Sequence, residues 1–491
     1  MLIRKVNSTQ KGDETPPNPW YNNYTITNGS VALVDGAKRD RLVWAGDMAI
    51  AVPSLVVSTN DLISVANSLD SLFAVQNKTS GLLPYAGIPF PPTTSFTYHL
   101  YTLIGVADYY LYSNDLSYLQ SKWQDWKLAL SWSLSNIDSS NLMNVTSPND
   151  WLRFGMGGHN IEANAILYYT INQGIQLGRA LNESQSLLSN WSTTAEAIKV
   201  AANDLLWDES AGLYRDNETT TLHPQDGNCW AVISNLTTSS SQISAISSSL
   251  AARWGPYGAP AIEAADAVSP FISGFELQAH LLAQNTSAAL DLIRLQWGFM
   301  LDDPRMTNSS FIEGYSSTGE LHYAPYTNDP RVSHAHGWAT GPTSTLTFYI
   351  GGIHLLTAGG KTWTMSPRLG DLKFVDVGFE TSLGSFASMV NASGDGSIVG
   401  WKFATPAGTQ GSVSLPEGTE GTLVNSNGTR VELVGGGAEN VAGGTWTLQV
   451  RGGNGTTTGS APVATYTGSA SKMSGISMMM AGVMIAASML V

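Results

Sequence analysis

Apolar residues recur every three or four positions through most of the first 350 residues, the spacing that lines one face of an α-helix. The clearest stretch predicts a helical hairpin. Phe96, Leu100, Leu103, Ala107 and Leu111 form one stripe, Ser113-Asn114-Asp115 makes a turn, and Leu119, Trp123, Trp126, Leu130 and Leu134 answer it. Similar pairs run through residues 47–76, 160–206, 226–253, 269–302 and, less regularly, 333–358. Six such hairpins closing into a ring predict an (α/α)6 toroid over residues 36–360. Past Gly360 the period changes: Trp363, Val375, Val377, Trp401, Phe403, Val413, Val431, Leu433 and Trp446 sit in short alternating runs between glycine-rich turns. That texture predicts a β-sandwich over residues 361–451. The expected fold class is therefore mainly α, a six-hairpin toroid followed by a C-terminal β-sandwich module. Residues 1–35 have little periodicity and read as a leader, the remnant of a larger N-terminal region.

Composition narrows the function. A formal net charge of −14 and the lack of any Lys/Arg run exclude a phosphate-binding stripe, so no nucleic-acid partner is expected. The single cysteine, Cys229, rules out an intramolecular disulfide and reads as a buried, inert thiol. Asn-x-Ser/Thr sequons at Asn7, Asn23, Asn28, Asn77, Asn144, Asn182, Asn190, Asn217, Asn235, Asn285, Asn308, Asn391, Asn427 and Asn454 span the whole length and favour the secretory pathway.

The end of the chain agrees. A Gly/Ser/Thr-rich linker over 452–475 leads into an apolar tail over 476–491 with no charge after it. A polar spacer followed by a short apolar end suits a glycosylphosphatidylinositol (GPI) anchor signal better than a spanning helix, with Gly468 or Gly459 as attachment residue. The expected location is extracellular, at the cell surface, held to the membrane by a lipid. Met1-Leu2-Ile3-Arg4-Lys5 lacks the apolar core of a signal peptide, which reads as a truncated gene model.

Candidate chemistry concentrates at residues 35–47. Asp35, Asp40 and Asp47, three cations and Trp44 share thirteen positions ahead of the first helix. Read plainly, this is a self-neutralising loop with Asp47 as a helix N-cap. Read functionally, carboxylates bind sugar hydroxyls and donate a proton, while Trp44 offers an apolar face to a pyranose ring.

The segment resembles the signature of the α-L-rhamnosidase family of glycoside hydrolases: an Asp, four residues, an acid followed by Arg, then Gly-Trp-x-Gly-Asp. Asp35, Asp40, Arg41, Trp44, Gly46 and Asp47 fall in register. The resemblance implies Asp40 as general acid and Asp35, Arg41, Trp44 and Asp47 as sugar-binding residues. Two positions depart from it, since the acid is usually Glu and Val43 stands where Gly is usual. Further on, Ser309-Ser310-Phe311-Ile312-Glu313-Gly314-Tyr315 resembles the family's base-bearing loop and implicates Glu313, with Glu320 as rival. Ser333-His334-Ala335-His336-Gly337-Trp338 resembles the family's Ser-x-x-His-Gly-Trp segment, which makes His336 a sugar ligand and Trp338 a wall. Asp150-Trp151 also matches a family position and joins the substrate-binding set. Read without the resemblance, Asp150 is a helix cap beside a packing Trp.

Taken together these imply an inverting hydrolase of a glycoside or oligosaccharide, with no cofactor and no metal. A toroidal glycosidase for another deoxy sugar or a uronic acid stays open, as does a catalytically silent carbohydrate-binding protein.

Overall fold

The computed structural model describes residues 25–451 except Arg39, Thr327 and Glu417, together with the backbone of the short strands Leu2–Lys5, Thr9–Lys11 and Tyr21–Asn23. The linker 452–475 and the apolar tail 476–491 lie outside the described residues, as do Asn7 and Asn454. Contrary to the leader reading, Val31–Val34 is a strand, paired antiparallel with Leu2–Lys5. It is tied to the helices where the Leu33 N–H donates to Ser68 Oγ at 2.8 Å.

Twelve helical segments follow. They are α1 (Ala45–Ser58), α2 (Leu62–Ala74), α3 (Phe96–Ser113), α4 (Leu116–Leu134), α5 (Ile161–Ala180) and α6 (Gln185–Leu206). Then come α7 (Gln225–Ile233), α8 (Ser240–Ala251), α9 (Pro270–Leu282), α10 (Thr286–Leu292), α11 (Gly298–Asp302) and α12 (Gly341–Thr345). A π-helical turn, Ile293–Trp297, joins α10 to α11, and another, Leu346–Ile350, extends α12. Helices α1, α3, α5, α7, α9 and α12 pack each on the next, and α12 returns to α1 to close a ring. The remaining helices lie outside it.

Burial separates the two shells. Fourteen of the eighteen residues of α3 are buried, against six of the nineteen in α4. An inner helix is covered on all sides, whereas an outer one buries a single stripe. Polar turns end each run: Asp115 accepts from the Tyr118 N–H to cap α4, and Ser184 does the same for α6. Ring closure needs small residues, because a Cβ on Gly341 would lie 2.8 Å from the Cα of Gly274 in α9.

The sixth hairpin differs from expectation. Residues 333–358 supply one inner helix and no outer partner: after Gly351-Gly352, with Gly352 at φ 75°, the chain becomes the strand Ile353–Leu355. The β module thus starts eight residues before the predicted boundary. Its eight strands form one sheet in which Ile398–Ser414 and Gly437–Val450 run through two halves. Register shifts between Thr405 and Gln410 bend the pair around a core of Trp363, Phe386, Trp401, Phe403 and Trp446. The module packs at the C-terminal ends of α3 and α12, where Phe348 stacks on Tyr112 and meets Phe379 edge-on.

Candidate active site

At the opposite end of the ring, the N-terminal ends of inner helices surround a cavity. It is lined by Asp35, Asp40, Trp44, Asp47, Tyr85, Tyr98, Trp151, Leu152, Glu313, Tyr326, His336 and Trp338. Residues from both ends of the helical region meet here because the Asp35 carbonyl accepts from the Gly337 N–H at 2.8 Å, and the Ala37 N–H donates to Ala335 at 2.9 Å.

The signature segment is held from several sides. The Asp35 carboxylate is buried and accepts from the Leu42 N–H at 2.9 Å. Asp40 and Arg41 adopt left-handed backbone at φ 55° and 54°, a conformation that costs a non-glycine residue about 1–2 kcal/mol. This turn brings Asp40, half-buried, to the cavity. Trp44 is the N-cap residue of α1 and makes no side-chain cap bond. Asp47 is therefore not the N-cap but lies in the first turn, where the helix dipole favours its charge. The Trp44 ring is wedged edge-on against Tyr85 and Phe90, each 4.9 Å away between centroids. Gly46 has a packing reason as well, since any side chain there would run into the ring of Tyr98.

Glu313 comes from the long loop after α11 and is only 1% exposed. Its Oε1 accepts from the Tyr323 hydroxyl at 2.9 Å and its Oε2 from the Ser333 N–H at 3.0 Å. Its carbonyl accepts from the Trp338 indole at 2.8 Å, so base loop and wall are fixed together. The rival Glu320 lies at the surface, with a side chain 66% exposed beside His322. His336 stands between two carboxylates, with Nδ1 3.4 Å from Asp47 and Nε2 3.9 Å from Asp35. Its ring leans on Trp338, which stacks on Phe271.

Two expected sugar contacts lie elsewhere. Arg41 is half-buried and does not line the cavity. Asp150 is neither a helix cap, since α5 starts at Ile161, nor a lining residue. Its backbone carbonyl accepts from the Tyr85 hydroxyl and its Oδ1 from Thr97 at 2.6 Å, and its neighbours Trp151 and Leu152 face the cavity instead. Four lining residues, Tyr85, Tyr98, Leu152 and Tyr326, carried no sequence signal distinguishing them from packing residues. Burial, then nearby carboxylates, pushes the phenols of Tyr85 and Tyr98 well up, so both stay protonated donors.

Behind the Trp151 wall is a second group of carboxyls, all buried: Asp150, Glu162, Asp216, Asp226 and Glu263, gathered about the buried Arg153. Glu263 accepts from the N–H groups of Gln225 and Asp226 at the start of α7, at 2.9 and 3.0 Å. Cys229 is a buried free thiol, and Trp230, Phe271, Glu276 and Trp297 are core residues.

Ring and cavity together define an α/α toroid with a cavity of carboxyl, aromatic and histidine side chains at one end. Residues 23–258 match the family model described as the bacterial alpha-L-rhamnosidase 6 hairpin glycosidase domain. That match takes in α1 to α8 and covers just under half of the chain. Among solved structures, a GH78 family rhamnosidase of Bacillus sp. GL1 is 19% identical, with a TM-score of 0.65 over 77% of this chain and 39% of that one. An α-L-rhamnosidase of Streptomyces avermitilis, complexed with L-rhamnose, is 15% identical, with a TM-score of 0.67 over 85% of this chain and 39% of that one. An α-L-rhamnosidase from Aspergillus terreus is 16% identical, with a TM-score of 0.61 over 82% of this chain and 45% of that one. These likenesses establish a shared fold, and the chain spans less than half the length of each of these three. A search of curated proteins gave no match.

Proposed function

We propose that the chain is an inverting glycoside hydrolase of α-L-rhamnosidase type, acting on plant or wall glycans. The observation that carries this reading is that Asp40 and Glu313, distant in sequence, line one cavity with Trp44, His336 and Trp338. In the proposed reaction Asp40 protonates the departing glycosidic oxygen, while Glu313 takes a proton from a water attacking the anomeric carbon on the opposite face. Asp35, Asp47 and His336 bind hydroxyls, and Trp44 presents its apolar face to the sugar. The rhamnose bound to the Streptomyces protein supports L-rhamnose as the sugar. A second reading, another deoxy sugar or a uronic acid, is favoured by Asp40 standing where the family has Glu: the shorter arm requires a shifted backbone or substrate.

The test is hydrolysis of an aryl α-L-rhamnoside followed by proton NMR. Release of β-L-rhamnose, lost in Asp40→Asn and in Glu313→Gln, is expected. Initial release of α-L-rhamnose would refute inversion, and turnover of only other aryl glycosides would select the second reading.

We also propose a glycosylated, GPI-anchored cell-surface location. Its support is the exposure of the sequon residues Asn28, Asn77, Asn144, Asn182, Asn190, Asn235, Asn308, Asn391 and Asn427, together with the composition of the tail. Among the described residues no helix is long and apolar enough to cross a membrane. Release from cells by a phosphatidylinositol-specific phospholipase, and a mass decrease on enzymatic deglycosylation, are the expected results.

A further inference from the structure

The closed carboxyl group behind the Trp151 wall has an unequal distribution of hydrogen-bond donors. Asp216 takes Arg153 at 2.5 Å and Asn160 at 2.8 Å. Asp226 takes the Trp151 indole at 3.1 Å and the Gly227 N–H at 2.6 Å. Glu263 takes two helix N–H groups, and Asp150 takes Thr97. Glu162, fully buried in the first turn of α5, takes none: neither oxygen has a hydrogen-bond donor, and the nearest cation, Arg153, is 3.6 Å away. Yet oxygens of Asp150, Glu162 and Asp226 all lie within 4.8 Å of one another. Oδ2 of Asp150 likewise has no donor.

One guanidinium cannot neutralise five buried carboxylates. At about 4 Å, two like charges repel by roughly 4 kcal/mol even in an effective dielectric of 20. The group that gains least as an anion keeps a proton, and by its lack of donors that group is Glu162. The charged and titratable groups facing it are Asp150 and Arg153 from the preceding loop, Asp226 from α7 and Tyr101 from α3, with Asp216 and Glu263 beyond Arg153.

We propose that Glu162 is a positioning residue: its carboxyl stays neutral at working pH, its O–H is shared between Asp150 and Asp226, and it thereby holds Trp151 and Leu152 as the fixed wall of the cavity. Two contacts explain why the wall depends on it. Asp226 grips the Trp151 indole, and Asp150 precedes Trp151 in the chain while anchoring to Thr97 and Tyr85. Without the shared proton these two carboxylates repel each other across Glu162. Burial, then the charges of Asp150 and Asp226, also pushes Glu162 well above the usual carboxylate range.

The proposal rests on the cavity binding a sugar, but its primary test does not. Beside any carbonyl absorption from Glu263, which is raised to about 8, infrared spectra of the resting full-length protein at neutral pH should show one neutral-carboxyl band that disappears in Glu162→Gln. Persistence of that band in Glu162→Gln, or its loss in Asp150→Asn alone, would overturn the assignment. So would a stoichiometric divalent metal in the purified protein that Glu162→Gln lacks. The kinetic arm uses the aryl α-L-rhamnoside. Glu162→Ala should raise KM about tenfold with little change in kcat, and Glu162→Gln, which supplies amide donors, should restore KM and remove its rise at alkaline pH. Equal KM values for the Gln and Ala variants would refute positioning through a donor. If no aryl glycoside is turned over, the infrared result still decides the proton, and the sugar reading fails separately. If Glu162→Ala does not fold, Glu162→Gln and the spectra suffice.

Discussion

The molecule carries two groups of carboxyls at the same end of one ring, and they differ in what surrounds them. Asp35, Asp40, Asp47 and Glu313 line a cavity with aromatic and histidine neighbours. Asp150, Glu162, Asp216, Asp226 and Glu263 are sealed around one arginine, with Asp226 holding the back of a tryptophan. Both use inner-helix N-termini, where a negative charge is favoured. Placement at a helix start therefore does not distinguish a reacting carboxyl from a structural one. The difference is access to a cavity in which a ligand can sit.

The largest expected effect tests the open group. Asp40→Asn and Glu313→Gln should each lower kcat on the aryl rhamnoside by about 10²–10⁴-fold, the range for loss of a general acid or base. Their circular dichroism should match the parent, because each keeps the volume of the side chain, although Glu313→Gln gives up one of two accepted hydrogen bonds. A comparable loss in kcat from Glu162→Gln would erase the distinction between the groups.

Next comes Arg153, the cation paired with three of the sealed carboxyls. Arg153→Met leaves the carboxyls uncompensated and should cost about 3–5 kcal/mol, as removal of one partner of a buried ion pair does. Urea unfolding monitored by tryptophan fluorescence would measure it. An unchanged midpoint would mean that protons alone neutralise the cluster.

Unfolding across pH sharpens the same point. Burial, then Asp226, raises Glu263 to about 8. A raised carboxyl binds more protons folded than unfolded, so its contribution is fully present below about 4.5 and is lost as pH rises towards 8. His99 has the opposite sense. Burial lowers it to about 4, and its neutral ring accepts from the Leu83 N–H and donates to the Ala129 carbonyl. Its contribution is present above about 6.5 and is lost as pH falls towards 4. Glu263→Gln should flatten the alkaline limb alone, and His99→Gln the acid limb alone.

The smallest effect lies in a turn remote from both groups. Asn114 holds φ 57° at the C-terminal end of α3. Asn114→Ala should cost about 1 kcal/mol and Asn114→Gly should recover it, read as denaturation midpoints.

Five hairpins were legible because polar turns such as Ser113-Asn114-Asp115 interrupt strong three-to-four periodicity. The sixth was not, because Ile353-His354-Leu355-Leu356 continues an apolar pattern that suits helix or strand alike, and tertiary pairing with Thr362–Met365 decides for strand. Much of the cavity could be read from residues 35–47, where charged and aromatic residues crowd together, and from 313 and 333–338, where only the resemblance to the α-L-rhamnosidase family pointed to them. Tyr98 could not, since an aromatic residue on a fully buried helix has the same sequence signature whether it touches ligand or core. The sealed group was invisible for a different reason. Its members lie in five separate segments, each containing one ordinary acidic residue, and only the ring brings them together.

The proposed acid precedes the first inner helix and the proposed base precedes the last, so the cavity straddles the seam where α12 meets α1. Closing such a seam joins residues about 300 positions apart, a pairing whose loop-closure cost falls once the intervening hairpins are folded. During synthesis five hairpins can stack in order while the cavity still lacks Glu313, His336 and Trp338. Assembly of the proposed acid and base thus depends on ring closure, and turnover would report that the whole ring has formed.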